Sequence, residues 1–133
     1  MDQTQTGVAR WAAATFLGGL EVPPMLFVLL VALMTMGLSE MVSNVAAVAT
    51  VLPLAYNWGA VLGVNPVLTT LVTALAGGLA FMFPMGTPPN AIAYSSGYYS
   101  IADSVRAGVL LSLMALGVFL LVALTYWPLA GIR

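Results

Sequence analysis

The sequence contains no cysteine, no histidine and no lysine, and only 5% of its 133 residues are charged. Without Cys or His there is no thiol nucleophile, no imidazole base, no haem ligation through either residue and none of the usual zinc-ligand sets. With no nucleophile and base pair available, an enzyme is not expected. Three arginines against four acidic residues give a net charge of −1. That excludes the basic footprint a nucleic-acid partner requires, and without lysine no polybasic run holds the chain to a membrane surface. The polar residues 1–10, the interruption at Pro23-Pro24 and the lack of an A-x-A site do not fit a cleaved signal peptide.

What is present is apolar: 62% of the chain is hydrophobic, whereas a soluble domain usually carries about 25% charged residues. Lipid is therefore the expected solvent, and the expected fold class is an all-α membrane protein without a soluble domain. One Arg in each of three regions (Arg10, Arg106, Arg133) gives almost no orientation signal.

Along the chain, residues 7–20 read as a short interfacial helix, with Val8, Trp11, Ala12, Phe16 and Leu20 near one face. Residues 23–58 read as two apolar arms around a polar interruption, Ser39-Glu40-Met41-Val42-Ser43-Asn44, with Pro53 in the second arm and Tyr56-Asn57-Trp58-Gly59 as an interfacial exit. At roughly 13–15 residues, or about 20 Å, each arm falls short of a hydrocarbon core of about 30 Å. This spacing predicts a re-entrant helical hairpin with Ser43-Asn44 near its tip.

Residues 66–97 read as a broken transmembrane helix. Asn65 caps its start, Pro66 takes its first turn, and the apolar pattern continues to Phe83. Pro84-Met-Gly-Thr-Pro-Pro-Asn90 then interrupts it, because each proline lacks an N–H and crowds the preceding turn. A second short piece is expected from Asn90 to about Ser96. Residues 97–103 read as a loop, with Asp103 or Ser104 capping a terminal transmembrane helix over 104–128 that ends at Tyr126-Trp127.

The two polar interruptions are where chemistry can reside. Non-helical backbone at membrane depth is tolerated only where protein buries it or it lines a cavity. Freed carbonyls with Ser, Thr and Asn oxygens suit a hard cation such as Na⁺, and freed N–H groups at half-helix ends suit an anion. The bland readings are a proline kink at Thr87-Pro88-Pro89 and interhelical hydrogen bonding at Ser43-Asn44. Glu40, an acidic group in an apolar stretch, reads as functional, or else as a group at a wet hairpin edge or a helix cap. Gly77-Gly78 read as sites of close helix packing.

Together, Leu38-Ser-Glu-Met-Val-Ser-Asn-Val45 and Ala80-Phe-Met-Phe-Pro-Met-Gly-Thr-Pro-Pro-Asn-Ala-Ile92 resemble the divalent anion:sodium symporter family, which includes the sodium-coupled di- and tricarboxylate carriers. The resemblance covers nearly all of the chain from about Gly7, and only the C-terminal one of the family's two inverted repeats. It implies that Ser43, Asn44 and Val45 occupy a hairpin tip that contacts substrate carboxylate and sodium. Ser39 takes a sodium-liganding position where members often have Thr. Gly86 and Thr87 offer carbonyls to Na⁺, while Pro88, Pro89 and Asn90 complete the loop and shape the substrate pocket. Val45 stands where the bacterial-type motif has Thr, and Gly86 where Ala is common.

By the same resemblance Na⁺ is the co-transported ion, no organic cofactor is involved, and the site moves by elevator-like displacement of a transport domain. The implied partners are the lipid bilayer, a small divalent anion, the missing N-terminal repeat or a second chain, and a homodimeric mate in complete carriers. The implied location is a plasma or bacterial inner membrane. Two other readings stay open: a related anion efflux or Na⁺/H⁺ exchanger using Glu40, and a non-transporting helical membrane subunit.

Overall fold

The computed structural model describes residues 22–132, with Trp11 and Thr15 before them. Apart from those two positions, the interfacial helix expected over 7–20 lies outside the described residues. Those described form five helices: α1 (Pro24–Met41), α2 (Asn44–Val61), α3 (Pro66–Gly77), α4 (Pro88–Ser95) and α5 (Ile101–Leu129).

The expected turn at Ser43-Asn44 is present and very tight. Val42 leaves α1 in extended conformation, and Ser43 caps α2 by accepting from the Ala46 N–H at 3.2 Å. The arms differ from expectation in length. Each has 18 residues, about 27 Å of helix. In the first arm the helix does not stop at the polar residues but carries Ser39 and Glu40 inside its last turn, because both are buried and satisfied there. In the second, Tyr56-Asn57-Trp58-Gly59 is part of α2 rather than an exit from it.

The α2–α3 connection is dictated by local chemistry. Gly63 adopts φ +70°, the left-handed conformation that ends helices. Val64 N–H then reaches back to the Gly59 carbonyl at 2.8 Å and Gly63 N–H to that of Ala60 at 3.4 Å. Asn65 accepts from the Val67 N–H at 2.9 Å and Pro66 opens α3, as expected.

α1, α2 and α3 pack as an antiparallel bundle, with α2 running against the other two. Gly59 near the end of α2 meets Phe27 and Thr69, early in α1 and α3, while Gly77 at the end of α3 meets Val48 and Thr35. Val31, Ala32, Val51, Ala55, Val72 and Ala76 form the interior. Small residues there allow the close backbone approach that helix association in lipid depends on. A Cβ at Gly77 would stand 2.5 Å from Val48 Cγ2, so the packing role expected of Gly77 holds. Buried Thr35 and Thr73 donate to the carbonyls four residues before them, at 2.7 and 2.8 Å, and so bring no unsatisfied hydroxyl into the core.

α3 ends at Gly77, six residues before the Phe83 expected from the apolar pattern. α4 starts at Pro88, two residues before Asn90, because prolines are compatible with the first helical turn. The cap of α5 is Ser100 rather than Asp103 or Ser104. Ser100 Oγ accepts from the Asp103 N–H at 3.2 Å, and the Asp103 carboxylate accepts from the Ser100 N–H at 3.0 Å, a reciprocal capping box. α1 and α5 are long and apolar enough to cross a membrane. In α5 only 17% of the most apolar window is buried, an outward face suited to lipid or further protein.

α5 leans on the segment after α3 through Gly108. A Cβ there would lie 2.5 Å from both Met82 Cα and the Phe81 carbonyl oxygen, and backbone cannot swing aside as a side chain can. Gly108→Ala is expected to destabilise the fold by about 1–3 kcal/mol. Thermal unfolding in detergent should show a clear fall in Tm, against no loss for Gly117→Ala, where the space is open.

Candidate functional site

The site is the junction of the last turn of α1, the Val42-Ser43 turn and the non-helical residues 78–87. Had α3 continued, the Gly77 carbonyl would have accepted from the Phe81 N–H and the Leu79 carbonyl from the Phe83 N–H. Instead each of these bonds is divided between side chains. Ser39 Oγ lies 2.7 Å from the Gly77 carbonyl oxygen, while the Phe81 N–H donates to Glu40 Oε1 at 2.8 Å. The Phe83 N–H donates to Glu40 Oε2 at 3.0 Å, and Ser112 Oγ reaches the Leu79 carbonyl at 3.5 Å. Between them the Met82 N–H is shared by both carboxylate oxygens, at 3.1 and 3.0 Å.

The carbonyl side of the segment is met from α5. Ser104 Oγ donates to the Met82 carbonyl at 3.0 Å, and Ser104, Gly108 and Ser112 recur every four residues along one helix face. That small, polar stripe was visible in the sequence and would have located the contact. The Phe83 carbonyl accepts from the Gly86 N–H at 3.3 Å, with Asn90 Nδ2 at 3.5 Å. Among the described residues no buried side-chain polar atom lacks a partner.

Glu40 is only 5% exposed, so it is not at a wet hairpin edge. It does act as a cap, though not for a helix: it caps an unwound strand of backbone. Both of its oxygens act only as acceptors here.

Of the residues singled out from sequence, Ser39, Asn44 and Gly86 come together. Ser39 is fully buried, and its Oγ lies 2.6 Å from Asn44 Oδ1 as well as 2.7 Å from the Gly77 oxygen. One hydroxyl hydrogen thus faces two acceptors. Gly86 packs on the same point from the other side, where a Cβ would stand 3.2 Å from the Ser39 carbonyl oxygen. The Gly77 carbonyl was not anticipated as a site atom. Its signal was the Gly-Gly pair at which α3 ends.

The remaining candidates are placed more openly. Ser43 is exposed and uses its hydroxyl as the α2 cap, Val45 is 81% exposed, and Pro88 and Pro89 are exposed. Thr87 precedes α4 without a side-chain cap, and its carbonyl already accepts from the Ala91 N–H at 3.2 Å. Asn90 instead lines a cavity of about 430 Å³ with Phe81, Tyr99, Asp103 and Ser104. Prolines at the first two positions of α4 remove two N–H donors from its N-terminus. The N-terminus of α2 keeps the N–H groups of Asn44 and Val45 and is the stronger partial positive charge for an anion.

Comparison with known proteins agrees with this architecture. Residues 2–132 match the family described as the sodium:sulfate symporter transmembrane region. Solute carrier family 13 member 2 of Oryctolagus cuniculus is 32% identical over 123 residues, which are 92% of this chain and 21% of that protein. Na(+)/dicarboxylate cotransporter 3 of Rattus norvegicus is 35% identical over 124 residues, again 92% of this chain and 20% of the relative. The sodium-dependent dicarboxylate transporter SdcS of Staphylococcus saprophyticus is 31% identical over 119 residues, 90% of this chain and 23% of the relative. The chain thus spans about a fifth of the length of these relatives. With its helix-turn-helix pair, its broken α3–α4 element and an unbroken family match, this chain is an integral membrane protein segment that belongs to the sodium:sulfate symporter transmembrane family.

Proposed function

We propose that the chain is the C-terminal half of a sodium-coupled secondary transporter for divalent anions such as dicarboxylates. The observation that carries this reading is the cluster of three neutral oxygens in which Ser39 Oγ lies 2.6 Å from Asn44 Oδ1 and 2.7 Å from the Gly77 carbonyl oxygen. A hard cation is held by a shell of such oxygens. On sodium binding the Ser39 hydroxyl turns its hydrogen away and offers a lone pair, the oxygens part to admit the ion, and the Gly86 and Thr87 carbonyls and Ser43 complete its shell.

The anion binds beside the cation, against the α2 N-terminus. Asn44, Ser43 and Val45 line one side, and Thr87, Pro88, Pro89 and Asn90 the other. Because none of these residues carries a positive charge, the bound sodium and the helix-end N–H groups supply the positive potential, and this dependence couples the two solutes. The relatives Na(+)/dicarboxylate cotransporter 3 and the sodium-dependent dicarboxylate transporter SdcS support the substrate class. The open placement of Ser43, Val45, Pro88 and Pro89 fits a site closed by the missing repeat or a second chain. α1 and α2 form a re-entrant hairpin with its polar tip inside a plasma or bacterial inner membrane, and complete carriers pair as homodimers. No covalent chemistry is involved. Among alternatives, proton exchange through Glu40 is disfavoured because both of its oxygens are committed to backbone N–H groups.

Asn44→Ala in a complete carrier bearing this segment is expected to abolish sodium-dependent dicarboxylate uptake at unchanged membrane abundance; undiminished uptake would refute the assignment. Ser39→Ala removes the hydroxyl from a buried carbonyl and is expected to cost about 1–3 kcal/mol of stability together with transport. Ser39→Thr, which retains the hydroxyl, is expected to keep both, as judged by unfolding midpoint and uptake. A non-transporting helical subunit would show no change in unfolding midpoint between sodium and choline buffers, whereas the proposed site predicts a rise in sodium.

A further inference from the structure

The apolar pattern from Pro66 runs without interruption to Phe83, yet α3 stops at Gly77. Pro84 accounts for only part of this stop. It keeps Phe83 out of helical conformation and crowds the Ala80 carbonyl in any helix carried through it, but leaves α3 free to extend from Gly78 to Phe81. Residues 78–83 contain one glycine, Gly78, with φ −85°, which is helix-compatible. Intrinsic preference therefore favours at least one more turn of helix, and something outside the segment must oppose it.

Glu40 supplies that opposition. Its two oxygens take the three consecutive N–H groups of Phe81, Met82 and Phe83 at 2.8–3.1 Å. In a continued helix these are the donors that would bind the carbonyls of Gly77, Gly78 and Leu79. The preceding residue, Ser39, holds the Gly77 carbonyl thus released. Adjacent residues in one turn of α1 hold the two halves of a single helical hydrogen bond apart.

We propose that Glu40 is a positioning residue: its carboxylate, rather than bound sodium, keeps residues 79–83 unwound and so keeps the Gly77 carbonyl available to the ion. This rests on the reading of the junction as the cation site, but concerns how that site is built. Two consequences follow. The framework of Ser39, Gly77 and Gly86 exists before the ion arrives, so ordering by sodium is confined to the exposed turn at Ser43 to Val45. Loss of the carboxylate lets α3 rewind through Phe81, whereupon the Phe81 N–H claims the Gly77 oxygen and the site loses a ligand.

The test uses backbone ¹³Cα chemical shifts of the full chain in detergent micelles, labelled at Phe and Met, which distinguish helical from non-helical residues and do not depend on transport. In the wild type, Phe81, Met82 and Phe83 should give non-helical shifts in choline buffer as in sodium buffer. In Glu40→Gln, which loses one acceptor oxygen and turns an N–H₂ toward the same donors, Phe81 and Met82 should move toward the helical range, with Phe83 held out of it by Pro84. Phe119, buried in α5, should stay unchanged and so reports that the fold persists. Glu40→Asp keeps a carboxylate on a shorter stem and should restore the non-helical shifts at least in part.

Helical wild-type shifts in choline that become non-helical with sodium would overturn the proposal, since the ion would then open the break. Unchanged non-helical shifts in a folded Glu40→Gln would overturn it too. Should Glu40→Gln fail to fold, the wild-type pair of buffers and Glu40→Asp still decide. Failure of the transport reading would appear instead as uptake insensitive to Asn44→Ala, with these shifts unaffected.

Discussion

Three peptide N–H groups converging on one buried carboxylate are the constraint from which the rest of this molecule follows. An unpaired N–H in hydrocarbon costs several kcal/mol, so a helix cannot simply open inside a membrane protein. It opens only where another group takes over its donors and acceptors. Glu40 takes the donors of Phe81, Met82 and Phe83, and Ser39, Ser104 and Ser112 attend to the carbonyls of Gly77, Met82 and Leu79. The arrangement needs an acidic side chain at the end of α1, hydroxyls on α5 and no side chain at position 108. All three are satisfied, from elements far apart in sequence.

That division of labour explains why a chain so poor in charge has a site at all. The backbone supplies the polarity. Ending α3 at Gly77 frees a carbonyl, and the tight turn at Val42-Ser43 brings Asn44 to within 2.6 Å of Ser39 Oγ. None of the residues that form this cluster is basic, and none need be if the proposed cation provides the positive charge. The Glu40 carboxylate is spent on backbone, which in the proposed site leaves neutral oxygens to face the ion. Neutral ligands would bind a monovalent cation reversibly, as the proposed carrier function requires.

Much of this was legible in the residues. Asn65-Pro66 marked the start of α3, and Ser43-Asn44 marked the hairpin turn, because caps and prolines act on their own few neighbours. The Pro88-Pro89 pair marked a helix start only to within two residues, since proline fits both the end of a loop and the first turn of a helix. Less legible was whatever depends on long-range partners. The apolar pattern overruns the end of α3 by six residues because the carboxylate that holds the N–H groups of Phe81 to Phe83, that of Glu40, lies about forty positions earlier. The arms around the Ser43 turn read as too short because Ser39 and Glu40 look like loop residues, whereas tertiary partners make them acceptable inside α1.

Glu40 shows how the two levels meet. An acidic residue in an apolar run invites the inference of a titrating or ion-binding group, and its burial strengthens that inference. The geometry redirects it. A carboxylate whose two oxygens already hold four hydrogen bonds is engaged as a restraint on backbone. Releasing that backbone would let the Phe81 N–H compete for the Gly77 oxygen, and the proposed site would lose a ligand. On that reading the side chain serves transport from outside the transport step, holding open the gap in which neutral atoms would do the binding.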